Sequence, residues 1–231
     1  MEAPRQVPKA GVSRGRTRVI GVRRRQKEQR PGQILEAAFE EFAESGYAAA
    51  RVEDIARRVG VTKGTIYFYF PSKEELFKAV CRSHLLPVFE RIERLPEEFP
   101  GSAAGLLRAI FELSYQDLVT NARSREFIRL MIGEASRVPE LVEFYASELI
   151  DRGNTALRKA VARGVASGEF RADAVELLAE SPEILVAPSV MAALNRIMLG
   201  DRGTPDVRRQ LEAHLAVVLD GVRLRSPVDQ A

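Results

Sequence analysis

Apolar residues recur three and four positions apart along almost the whole chain, the spacing of one face of an α-helix. Ile34, Leu35, Ala38, Phe39 and Phe42 make the first such face, behind Pro31 at an early helical position and closed by Gly46. Glu36, Glu40, Glu41 and Glu44 line the other side, and an acidic face cannot be what meets a polyanion, so this helix reads as scaffold. Val52, Ile55, Ala56 and Val59 form a second face, ended by Gly60, which can take the positive φ that reverses the chain. A short third helix is predicted to open at Thr62, whose hydroxyl can cap it, with Ile66 and Phe70 inward and Lys63, Thr65, Tyr67 and Tyr69 outward. Ile66, Phe68 and Phe70 also alternate with the tyrosines as a β-strand would, but helical patterns flank the run and the chain offers no partner strand.

Ser72 and Glu75 form a capping-box pair for a fourth helix, which carries Phe77, Val80, Leu85, Val88 and Ile92 as far as Pro96, with a kink expected at Pro87. Helical spacing continues over residues 102–121, 124–135 and 139 to about 167. A turn at Gly168-Glu169-Phe170 leads into residues 173–199, interrupted at Pro182 and Pro188, and a last helix is expected over residues 204–224. With no strand and no internal repeat in the pattern, the expected fold class is all-α.

Two short helices joined through Gly60 make a helix-turn-helix, whose second helix enters the DNA major groove with its N-terminal residues toward the base edges. Thr62 and Lys63 stand at that end, Gly64 lets the backbone come close, and Thr65 lies one turn on. Lysine can donate to guanine, and threonine can meet a base edge or a thymine methyl. Tyr67 and Tyr69 carry hydroxyls on rigid rings, suited to phosphates. So short a helix reads few base pairs, so specific binding calls for a homodimer on a palindromic operator, with half-sites roughly 34 to 36 Å apart. Ile184, Leu185, Val190, Met191, Leu194, Ile197, Met198 and Leu199, with Val207, Leu211, Leu215, Val218 and Val222, are the stripes available for a dimer surface or for a monomer core.

The stretch GVTKGTIYFYFPSKEEL, with VEDIARRV before it and a helix ending in Gly46-Tyr47 before that, resembles the DNA-binding domain of the tetracycline-repressor (TetR) family over about residues 31 to 80. Its most specific part is Tyr67-Phe68-Tyr69-Phe70 followed by Ser72-Lys73-Glu74. The resemblance implies an N-terminal three-helix helix-turn-helix domain on a larger C-terminal helical ligand-binding and dimerisation domain. The divisions expected are a disordered basic arm at 1–27, the DNA-binding domain at 28–80 and the regulatory domain at 81–231. It further implies a four-helix dimer interface, a small-molecule effector, and a phosphate contact at Lys73. Family members usually carry Ser or Thr where Ala50 and Arg51 stand, so that helix lacks its cap, and Arg51 enters as a backbone contact by charge instead.

Composition narrows this further. Of 231 residues 45% are hydrophobic and 29% charged, no apolar run spans a bilayer, and no apolar segment follows the basic N-terminus, so a cytoplasmic protein without membrane partners is expected. Cys81 is the single cysteine, and with His84 and His214 it exhausts the soft ligands; neither a metal site nor a cofactor is expected. Without GxSxG, a phosphate loop or a grouped nucleophile and base, an enzyme is not expected. Residues 1–30 carry ten Lys or Arg against Glu2 and Glu28, a net of +8 in a chain of only +3. That arm reads either as a phosphate or minor-groove contact or as a solvated tail, and it sustains the alternative of a nonspecific basic nucleic-acid-binding protein. Phe89, Phe111, Tyr115, Phe127, Met131, Phe144 and Tyr145 can line an effector cavity or simply fill a core. Glu112, Asp117 and Glu134 point to a cationic ligand or to plain surface charge, and no ligand-binding residue is assigned from the pattern.

Overall fold

The computed structural model describes residues 14–134, 138–178, 180–200 and 204–223, with side chains from Gln29 onward. Every regular element among them is helical, and the one extended pairing is an isolated antiparallel bridge between Phe170 and Arg223. Helix α1 runs Arg14–Ala49, so residues 14–27 of the stretch expected to be a disordered arm are helical. Arginine, lysine, glutamine and glutamate are good helix formers and carry the helix upstream of Pro31. The first thirteen residues of that arm lie outside the described residues. Gly46, at φ 76 and ψ 160, breaks α1 and sets Tyr47 back against the core.

Helix α2 (Val52–Val59) starts at Arg51 with no side-chain cap, as the sequence implied, and ends on Gly60 at φ 70. There Val61 N–H bonds Ala56 O at 2.9 Å and Gly60 N–H bonds Arg57 O at 3.2 Å, the paired bonds of a Schellman turn. Helix α3 (Lys63–Tyr69) follows, and then α4 (Lys73–Glu98), capped by Ser72 accepting the Glu75 N–H at 3.0 Å. The return bond of the capping box is replaced by a contact of Glu75 with Lys78 at 3.4 Å. Pro96 does not end α4; the helix runs on to Glu98, and Phe99 N–H closes it on Leu95 O.

Helix α5 (Ala103–Ser114) widens into a π-helical segment, Tyr115–Thr120, before α6 (Ala122–Glu134). Helix α7 (Pro139–Tyr145) likewise passes through a π-helical segment, Ala146–Ile150, into α8 (Asp151–Ala166). Short α9 (Ala174–Leu177) and a 3₁₀ turn, Pro182–Leu185, precede α10 (Ala187–Leu199), where Pro188 falls in the first turn rather than interrupting the helix. Helix α11 (Val207–Val222) completes the described chain.

Two main cores result. In the first, Phe42 and Phe77 meet edge to face at 5.1 Å with Ile34, Ile55 and Ile66 around them, and Phe127 of α6 and Leu141 and Phe144 of α7 close the same cluster. The helix-turn-helix is thus packed into helices that follow it by fifty residues and more. The second core joins Ile92 of α4, Leu107 and Phe111 of α5, Leu157 of α8 and Leu215 of α11. Burying each such phenylalanine or leucine contributes about 1.5–3 kcal/mol.

Candidate nucleic-acid interface

Helix α3 is held from below and free above. Ile66 is fully buried, Val61 packs against the first core, and the Thr62 hydroxyl accepts the Thr65 N–H at 3.2 Å while lying 3.0 Å from the Thr65 hydroxyl. That leaves Thr62, Lys63, Gly64, Tyr67 and Phe68 exposed, with Thr65 and Tyr69 half-buried at the edges. Lys63 Nζ rests 2.6 Å from Glu53 of α2 and 5.5 Å above the Tyr67 ring, so its positive charge is already positioned over the exposed face. The α1 acidic face meets protein instead: Arg58 of α2 pairs with Glu40, Glu41 and Glu44, fixing α2 across α1.

Two expected contact residues lie differently from one another. Arg51 is exposed at the α2 N-terminus. Lys73 is turned inward: its ammonium donates to Ala48 O at 3.1 Å and Ala50 O at 3.0 Å, lies 4.7 Å over the Tyr47 ring, and is pushed below the usual lysine range by burial. In this arrangement Lys73 ties α4 to the turn between α1 and α2. Phe68 was not among the expected contacts, yet its ring is 74% exposed and is propped edge to face on Tyr69 at 5.1 Å. It stands four residues beyond Gly64, on the same face of α3. Alternation with Tyr67 and Tyr69 hid it; the three-residue offset from Thr65 was the available signal.

Two family models match the chain: bacterial regulatory proteins of the tetR family over residues 34–80, and the C-terminal domain of AefR-like transcriptional repressors over residues 106–194. Over 148 residues the sequence is 32% identical to the HTH-type transcriptional regulator TtgR of Pseudomonas putida, covering 61% of this chain and 70% of TtgR. The chain belongs to the TetR family of transcriptional regulators. The HTH-type transcriptional activator FasR of Mycolicibacterium smegmatis is 43% identical over 76 residues, 31% of this chain and 35% of FasR. Among solved structures, FadR of Bacillus subtilis in complex with stearoyl-CoA shares the fold at a TM-score of 0.63 and 22% identity, over 83% of this chain and 98% of FadR. A regulator from Saccharomonospora viridis in complex with choline shares it at 0.67 and 24%, over 86% and 100%.

Behind the reading head, this TetR-family regulator encloses a chamber of about 60 Å³ between α4, α5 and α8. Val88, Phe89 and Ile92 of α4 form one wall, and Gly153 and Leu157 of α8 face them. Ile110 and Ser114 of α5, Asp117 and Leu118 of the first π-helical segment and Val186 before α10 complete it. Of the aromatic set that could have lined a cavity, Phe89 does so. Phe111 and Tyr115 pack on His214, with Phe111 stacked at 4.3 Å, and Phe127 and Phe144 belong to the first core. Among the described residues no group of three His, Cys, Asp or Glu could hold a metal ion, and no helix is long and apolar enough to cross a membrane. Cys81 is buried, and burial pushes its thiol far above the usual range.

Proposed function

We propose that this TetR-family chain is a transcriptional repressor that binds a palindromic operator as a homodimer and is released from it by a small-molecule effector. The observation that carries the reading is α3: a capped, rigidly seated helix whose Lys63, Gly64, Tyr67 and Phe68 stand exposed together. Thr62, Lys63, Gly64 and Thr65 are assigned to base edges, and Tyr67 and Tyr69 to phosphates. Arg51 remains a backbone contact, while Lys73 would have to leave two carbonyls to become one.

Support for a homodimer comes from α10 and α11. The expected α11 stripe of Val207, Leu211, Leu215, Val218 and Val222 turns to the cores, as does Leu185, but Met191, Met198 and Leu199 of the expected α10 stripe stay exposed, and so does Val217 of α11, which was not in the stripe. An effector is supported by the chamber and by its place against α4, which leads directly from the reading head. At about 60 Å³ the chamber is far below the roughly 300 Å³ of a typical ligand site, so an effector must part α4 from α8 to enter. Moving α4 re-aims α3, and in a dimer changes the spacing of the two heads.

The test is selection of binding sites from random duplex DNA, with the wild type and with Tyr67→Ala. A palindromic consensus that vanishes in the variant is the expected outcome. Salt-dependent binding without enrichment, lost when residues 1–27 are deleted, would replace this reading with a nonspecific one.

A further inference from the structure

We propose that the effector is an organic monocation with an apolar body, and that Asp117 is the group that selects it. The inference rests on the reading of the chamber as the effector site. Among the described residues Ser114 and Asp117 are its only polar lining side chains, and the Ser114 hydroxyl is committed to Ile110 O at 3.0 Å within its own helix. Asp117 Oδ2 is buried and has no hydrogen-bond partner. A buried carboxylate oxygen without a donor is costly, and a ligand that brings a donor and a positive charge removes that cost.

Among the described residues no side chain donates a hydrogen bond to Asp117 Oδ2. Arg91 of α4 draws the Asp117 carboxyl toward ionisation through space, against burial, which holds its pKa above the usual carboxylate range. The other two acids that pointed to a cationic ligand are placed elsewhere. Glu112 is exposed and lies 3.8 Å from Arg108, and Glu134, whose Oε1 accepts the Ala48 N–H at 3.4 Å while its Oε2 has no partner, lies beside the end of α1 and does not line the chamber. Asp117 reaches the chamber from a π-helical segment, where the wider turn departs from the α-helical register; such segments often mark functional positions. The free volume is about that of two water molecules, enough for an ammonium head beside Asp117. An apolar tail must displace Phe89, whose ring lies 3.4 Å from where a Cβ on Gly153 would stand, so that pair is the seam that opens.

The experiment titrates decylammonium, decanol and decanoate, each below its micelle concentration, into the full-length protein and into Asp117→Asn, read by calorimetry and thermal shift. Decylammonium is expected to bind about tenfold or more tighter than decanol, with decanoate weakest, and Asp117→Asn to erase the preference while decanol still binds. Equal binding of decylammonium and decanol by the wild type, or a preference that survives in Asp117→Asn, overturns the inference. Gly153→Leu, which fills the seam beside Phe89, separates the two readings: if it abolishes decanol binding, the chamber stands as a ligand site whatever becomes of Asp117. Binding of none of the three probes overturns both.

Discussion

Lys63 is a guarded cation. Glu53 holds its ammonium, which sits above its ordinary range because of that hydrogen bond, and Glu53 is correspondingly held below the usual carboxylate range by Lys63. The two shifts agree on one exposed pair, and an exposed pair is a weak restraint. In the proposed complex Lys63 turns to a base edge, and Glu53 is left facing the phosphates. Glu53→Gln is therefore expected to tighten operator binding by about fivefold at low ionic strength, with the gain shrinking as salt is added, as measured by fluorescence anisotropy. A loss of affinity would show instead that Glu53 aims Lys63 rather than restraining it. Nothing in the residue spacing reveals this pair, because residues 53 and 63 meet only after the Gly60 turn has folded. The same limit applies to Lys73: position near an N-terminus said where its Cα would lie, not that four flexible methylenes would carry its charge inward to Ala48 and Ala50.

Between α2 and α3 the chain depends on one backbone conformation. Gly60 occupies the left-handed region at φ 70, and a Cβ there would meet nothing within 4 Å, so any cost of a side chain is purely conformational. Gly60→Ala should lower the unfolding free energy by about 1–2 kcal/mol in urea titrations, and Gly60→Asn by less, since asparagine tolerates this region. Equal stability of all three would contradict the turn geometry. Elements of this kind were legible in the sequence. The faces of Ile34 to Phe42 and Val52 to Val59, the Thr62 cap and the Ser72 cap all follow from apolar period and hydrogen-bonding chemistry, and all are present. The π-helical segments were not legible, because a register shift of one residue within a single turn is hidden among apolar spacings that already alternate between three and four. Nor was the chamber, which is a deficit of packing between three helices and has no signature in any one of them.

At the scale of the whole molecule, α10 and α11 leave apolar side chains exposed. Met198 is 68% exposed and Val217 74%, on the two helices proposed to form the dimer. The double substitution Met198→Glu with Val217→Glu is expected to give a folded monomer by analytical ultracentrifugation. Operator affinity should fall about 100-fold or more, since two heads on one palindrome bind far more tightly than one. A dimer that persisted would move the interface elsewhere. The first core carries a different consequence. Phe127, Leu141 and Phe144 plug a cluster that also holds Ile34, Phe42 and Phe77, so the DNA-reading unit has no seam of its own at residue 80. A protease should find no clean nick between head and body. A chimera that grafts residues 28–80 onto another regulator would carry a core with its stopper removed. The transplantable unit is the head together with α6 and α7, which makes its boundary a matter of shared packing rather than of position along the chain.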